Sequence, residues 1–239
     1  VGEGGRAFAM WTTLAIDREL GSVDADERAE CADMVALLTP IFKAFLTDNA
    51  WIATSHCMQV FGGHGYIKEW GMEQFVRDSR INMIYEGTNT IQSLDLLGRK
   101  VLADNGKKLK KFGKLVADFI EEEGVNEAMQ EFVNPLADLG DKVTKLTTEL
   151  GMKAFQNADE VGAAAVDYLR ICGHLVFAYF WARMAKVALA KQGSGDPFYK
   201  AKLATARFYF AKLLPETAGL IRSARAGLAP LMEMEEALF

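Results

Sequence analysis

Two short stretches hold the residues whose types and spacing could do chemistry: the turn Tyr85-Glu86-Gly87-Thr88, and the glycine cluster Gly62, Gly63 and Gly65 around His64. Glu86 adjoins the apolar residues Met83 and Ile84. A carboxylate on an apolar wall has its charged form disfavoured, which moves its pKa toward the range of a general base. Gly87 removes a side chain beside it and frees an N–H to face a ligand. A plainer arrangement fits equally well, with Glu86 as a helix N-terminal carboxylate stabilised by the helix dipole. Glycine loses the most backbone freedom on folding. Three of them within four positions therefore mark either backbone that lies close to a partner or a tight interhelical turn.

The remaining chemical residue types form no constellation. His64 sits in the glycine loop, where contact with a ligand and local or solvent bonding are both open. His56 and His174 fall within helical pattern and read as structural. Three histidines and three cysteines show no ligand spacing, so no metal is expected. Ser55 and Cys57 flank His56, but adjacent helical residues point apart and make no nucleophile–base pair. Arg77, Asp78 and Arg80 read as a salt-bridge cluster holding a short helix.

The elements that must position these residues are helical throughout. No alternating apolar run bounded by turn residues stands out among the 239 residues, so the fold class is all-α. Residues 6–20 form a helix with Phe8, Trp11, Leu14 and Ile16 inward and Gly21 near its end. Asp24 caps a long helix over 26–60, with Glu27 as its capping-box partner. Pro40 lies inside that helix and is expected to kink or break it. Residues 62–71 form the glycine loop, 72–83 a short helix with Phe75, Val76 and Ile81 on one side, and 85–89 an irregular turn. Thr88 or Asn89 caps a helix carrying Ile91, Leu94, Leu97 and Val101.

Asp104-Asn105-Gly106 is a turn signal, and it divides the chain into residues 1–103 and 104–239. The second part has apolar residues at helical spacing over 108–123, 126–156, 161–192 and 198–226, with Gly193 to Pro197 as a linker. Four helices with short connections read as an antiparallel bundle, and residues 230–239 as a tail.

Composition excludes several functions. The net charge is −5, and no basic run with interleaved aromatics exists, which argues against nucleic acid. The cluster Lys107, Lys108, Lys110, Lys111 and Lys114 reads as a solvated face. Cys31, Cys57 and Cys172 are odd in number and far apart, the usage of a reducing cytoplasm. The apolar stretch from Val176 to Leu189 is broken by Arg183 and Lys186, so no membrane span is expected. Val1 opens directly into helical pattern, as expected of a piece of a longer chain.

The stretch QVFGGHGYIKEWGMEQFVRDSRINMIYEGTNTIQ, Gln59 to Gln92, resembles the C-terminal part of flavin-dependent acyl-CoA dehydrogenases. The pattern Q-x-x-G-G-x-G-[FY], then R-D-x-x-I, then I-Y-E-G-T-x-x-I-Q is complete and in order. With the upstream helices the resemblance covers residues 1–101. GRKVLADNG and the helices after it resemble the subgroup with a helical C-terminal extension, which includes enzymes similar to methylmercaptopropionyl-CoA dehydrogenases.

The resemblance implies FAD as cofactor and an acyl-CoA thioester as substrate. Glu86 would take the α-proton while the β-carbon passes a hydride to flavin, giving a trans-2-enoyl-CoA. The Glu86 N–H would bond the thioester carbonyl, and Gly87 would contact substrate. Thr88 and Thr90 match flavin-contacting positions, although Thr90 stands where some members carry glutamine. Gln59, Val60, Phe61, Gly62 and Gly63 match a loop that reaches the FAD of a neighbouring subunit. A homodimer or homotetramer and electron-transfer flavoprotein as electron acceptor are also implied. The family needs an N-terminal helical domain and a middle β-domain that this sequence lacks, so the chain alone is expected to be inactive. A non-catalytic helical assembly module and an acyl-CoA oxidase are the alternatives.

Overall fold

The computed structural model describes residues 1–234 and 236–238, and among them every regular element is a helix. Helix α1 (Gly2–Gly21) and helix α2 (Ala25–Val60) fold back on each other across a three-residue turn. The Asp24 side chain caps α2 by accepting from Asp26 N. Glu27 does not complete a capping box: Asp24 N donates to Ser22 Oγ, and Ser22 Oγ donates to Glu27 at 2.5 Å. Only part of the expected apolar face of α1 is inward. Phe8 is buried and Trp11 packs on the core, while Leu14 and Ile16 are exposed.

Pro40 neither ends nor interrupts α2, which runs through it over 36 residues. The proline is buried between Leu37, Leu38 and Ile41. Tertiary packing on both sides outweighs the one intrahelical hydrogen bond that a proline removes.

Beyond α2 come two 3-10 turns, Gly62–Tyr66 and Lys68–Trp70, then helix α3 (Met72–Ile81). The expected ion cluster on α3 does not form. Asp78 accepts from Gln74, and Arg80 stacks over Trp51 and donates to the Met83 sulfur; neither makes an ion pair among the described residues. Phe75 and Ile81 are exposed. Helix α4 (Asn89–Leu94) starts at Thr88 without a side-chain cap and continues as a π-helical segment, Asp95–Leu102. The Asn89 side chain turns away from its own helix and bonds to α2.

Helices α5 (Lys107–Glu123), α6 (Gln130–Gln156) and α7 (Glu160–Ala190) follow. The expected last long helix is divided. Helix α8 (Pro197–Phe208) is capped by Asp196 with Pro197 in its first turn, a π-helical segment spans Tyr209–Leu213, and α9 (Glu216–Ala226) restarts after Pro215. A short α10 (Ala229–Met232) ends the regular structure.

α7 is the axis of the molecule. Residues 171–182 are all buried, and a helix apolar on every side is one surrounded by protein. By length and composition α7 is apolar enough to cross a membrane, which the sequence reading denied it. Two thirds of that window (67 %) is buried against the rest of the chain, so its apolar character serves the core. The expected boundary falls in the turn before α5, yet both sides share one core. Phe8 stacks on Phe180, and Phe45 meets Phe177 edge-on.

Candidate functional site

The turn between α3 and α4 departs furthest from ordinary backbone. Glu86 has φ 54° and Gly87 φ 76°, so two successive residues are left-handed. For a non-glycine residue this costs about 1–2 kcal/mol, and such strain persists only where surrounding structure enforces it. A Cβ on Gly87 would also lie 2.7 Å from Gln92 Nε2. The N–H groups of Glu86 and Gly87 donate to no backbone carbonyl among the described residues. The turn thus presents a carboxylate and two free donors together.

The apolar wall expected around Glu86 is absent from this chain. Glu86 is exposed, and its neighbours Ile84 and Tyr85 are 48 % and 50 % exposed. Sequence adjacency to Met83 and Ile84 did not translate into burial, because the turn stands off the core. Thr88 and Thr90 are exposed at the start of α4.

What holds the turn comes from α2, a contribution that local spacing did not reveal. Lys43 Nζ donates to Gly87 O at 2.8 Å and to Asn89 Oδ1 at 2.8 Å. Asn89 Nδ2 donates to Asp48 Oδ1 at 2.6 Å and to Thr47 Oγ1 at 2.9 Å. Partial burial moves both charged groups toward neutrality: the Lys43 pKa is lowered and the Asp48 pKa raised, with the Asn89 hydrogen bond opposing the latter. Asn89 N also closes back on Met83 O at 3.1 Å.

The glycine loop divides into two kinds of position. Gly65 is buried, and a Cβ there would collide with the Met58 carbonyl oxygen, so it serves the tight turn. Gly62 has φ 60° with open space around it, and Gly63 has open space and no such backbone need. The tight-turn alternative thus accounts for Gly65 and, by its left-handed backbone, for Gly62, while Gly63 has no such local need. Gln59, Val60 and Phe61 are exposed beside them. His64 is exposed and lies edge-on to Trp70, with ring centres 5.6 Å apart.

Within one chain these two stretches do not meet. The Glu86 turn is tied to α2 at Lys43, and Gln59 stands sixteen residues further along the same helix, about 24 Å at 1.5 Å per residue. His174 lies elsewhere, buried with its Nδ1 3.2 Å from the Tyr209 hydroxyl and its Nε2 3.2 Å from Glu216. The described residues contain no cluster able to hold a metal ion.

Comparison with known proteins places both halves of the chain. A family described as "Acyl-CoA dehydrogenase, C-terminal domain" matches residues 11–102. One described as "Acetyl-CoA dehydrogenase C-terminal like" matches residues 112–235. The chain is 37 % identical to a 3-methylmercaptopropionyl-CoA dehydrogenase of Ruegeria pomeroyi, over 90 % of this chain and 37 % of that protein. It is 29 % identical to a butyryl-CoA dehydrogenase of Syntrophomonas wolfei, over 98 % of this chain and 39 % of that protein. It is also 29 % identical to a broad-specificity linear acyl-CoA dehydrogenase of Mycobacterium tuberculosis, over 99 % of this chain and 41 % of that protein. The chain therefore spans about two fifths of the length of these relatives.

Proposed function

The chain belongs to the acyl-CoA dehydrogenase family, and on that premise we propose that it supplies the base and part of the cofactor cradle of an FAD-dependent enzyme that converts an acyl-CoA thioester to its trans-2-enoyl-CoA. The observation that carries the reading is the left-handed backbone of Glu86, a strained carboxylate presented with two free N–H donors beside it.

The residues present fit a flat dinucleotide. Gly62 and Gly63 leave open space where a side chain would stand, so backbone can lie directly against a cofactor. Gln59, Val60, Phe61, Gly62 and Gly63 would hold it on one side, and Thr88 and Thr90 on another. Bound FAD supplies the two-electron acceptor for a β-hydrogen leaving as hydride.

The chain's own part is proton transfer and charge stabilisation. The Glu86 carboxylate takes the α-proton. The electron pair left behind becomes the new double bond as the β-hydride departs, so both hydrogens and both electrons are accounted for. The N–H of Glu86 faces the thioester carbonyl and stabilises its developing negative charge, while Gly87 leaves room for substrate beside it.

The separation of the two stretches along α2 supports an assembly in which the glycine loop of one subunit serves its neighbour's cofactor, as a homodimer or homotetramer. Electron-transfer flavoprotein completes the reading as acceptor. Three free cysteines support a cytoplasmic setting. We assign the remaining walls of the pocket to parts outside residues 1–239, and we expect residues 1–239 alone to show no turnover.

The test is a visible spectrum of the full-length protein before and after anaerobic addition of acyl-CoA thioesters. A flavin spectrum that bleaches in the wild type and not in Glu86→Gln supports the reading. Undiminished turnover by Glu86→Gln removes Glu86 as the base. Release of hydrogen peroxide under air shifts the assignment to an acyl-CoA oxidase, and a protein without flavin leaves only a helical assembly module.

A further inference from the structure

Lys43 has an unusual pair of partners. Its ammonium makes no ion pair among the described residues. Both of its hydrogen bonds go to the Glu86-bearing turn, at the Gly87 carbonyl and the Asn89 side-chain oxygen, each 2.8 Å away. A lysine on a half-buried helix face ordinarily extends its charge to water or a carboxylate. Here the charge is drawn inward to two neutral acceptors.

Both acceptors lie just after the strained residue in the chain. Gly87 O belongs to the residue directly after Glu86, and Asn89 begins α4. Asn89 is itself fixed from the far side, because its amide nitrogen donates to Asp48, Thr47 and the Ala44 carbonyl. One turn and a half of α2 therefore grips the segment at two points. Gln92 adds a third, weaker contact to Gly87 O at 3.4 Å. The local bonds that close the turn, Asn89 N to Met83 O and Gln92 to Gly87 O, leave Glu86 itself unheld, since its side chain makes no hydrogen bond to backbone among the described residues; the grip from α2 is what ties the turn to the body of the protein.

We propose that Lys43, acting through Gly87 and Asn89, is a positioning residue that fixes the direction of the Glu86 carboxylate. The proposal rests on Glu86 being the base. A base delivers its rate advantage only from the correct place and angle, and a displacement of about 1 Å costs on the order of 100-fold. Lys43 itself touches no substrate, and the Glu86 N–H that it helps to place acts on charge that develops in the transition state, so its loss falls chiefly on kcat.

The experiment uses the full-length protein and compares wild type, Lys43→Met, Lys43→Arg and Glu86→Gln. Steady-state rates are measured with acyl-CoA bearing hydrogen or deuterium at the α-carbon. Lys43→Met keeps the apolar stem and removes the donors. It is expected to lower kcat by on the order of 100-fold with KM little changed, and to raise the α-deuterium isotope effect as proton abstraction becomes slower than all other steps. Lys43→Arg, which retains donors at that reach, recovers much of the loss. A Lys43→Met protein with wild-type kcat and isotope effect, even at a lower melting temperature, overturns the proposal. Asn89→Ser removes the second acceptor without touching Lys43; it serves where Lys43→Met does not fold, and the same signature is required of it. Normal turnover by Glu86→Gln sinks the base assignment and this proposal together. An inert Glu86→Gln beside a normal Lys43→Met sinks this proposal alone.

Discussion

The ring of Phe45 on α2 lies so close to the Cα of Gly173 on α7 that a methyl group there would overlap its Cδ2 and Cγ atoms. The ring of Phe45 rests directly on the α7 backbone at this point, because Gly173 carries no side chain. Gly173→Ala gains about 1 kcal/mol of helix propensity but forces a fully buried ring to move, at a cost of about 1–3 kcal/mol or more. The clash is deep, so we expect a net loss of roughly 1–2 kcal/mol, read as a lower urea midpoint.

Gly87→Ala places a Cβ on left-handed backbone and against Gln92. The backbone cost is about 1–2 kcal/mol. Because the turn is exposed and local, the expected signature is a larger fall in kcat of the full-length protein than in its thermal midpoint. A variant with unchanged kcat would show that the turn tolerates other conformations.

Glu216 gives the fold a dependence on acid. The hydrogen bond from His174, then the Arg170 guanidinium, hold its carboxyl down at about 2 against an ordinary 4.5. A depressed folded-state value means stability that is fully present above pH 4.5 and is lost as pH falls toward 2. The side chain is 41 % exposed, so solvent screens part of the effect. Urea unfolding at successive pH values is expected to show a steeper loss across that window in wild type than in Glu216→Gln.

The cysteines separate by burial. The Cys172 thiol is pushed up to about 12 by burial, with the Tyr168 hydroxyl opposing the shift, whereas Cys57 is exposed. Iodoacetamide at pH 8 is expected to label Cys57 in the native protein and Cys172 only after denaturation, as mass spectrometry of peptides would reveal. Native labelling of Cys172 would mean that α7 opens readily.

The helices were legible because their signals are local. The heptad-like run of Leu38, Ile41, Phe42 and Phe45, the Asp24 cap and the linker from Gly193 to Pro197 each act within a turn or two of helix. The acidic turn was legible by type, from glutamate beside glycine, but its left-handed backbone was not. That conformation depends on Lys43, which stands forty-three residues before Glu86 and looks in sequence like any surface lysine. The wall expected around Glu86 and the ion cluster of Arg77, Asp78 and Arg80 failed for a related reason. Adjacent residue types say which contacts are chemically allowed, and only the packing of α3 and the turn on α2 says which are made. The burial of Pro40 and the shared core of α2 and α7 are likewise non-local.

Helix α2 carries the grip on the carboxylate turn near its middle and the glycine loop at its end, about 24 Å further on. On the proposed reading this has a genetic consequence. A subunit carrying Glu86→Gln and a subunit with a damaged glycine loop would each be inactive as homodimers. Mixed in one dimer, they would concentrate both lesions in one site and leave the other whole. Two dead alleles would then complement, to about half the wild-type rate per mixed dimer.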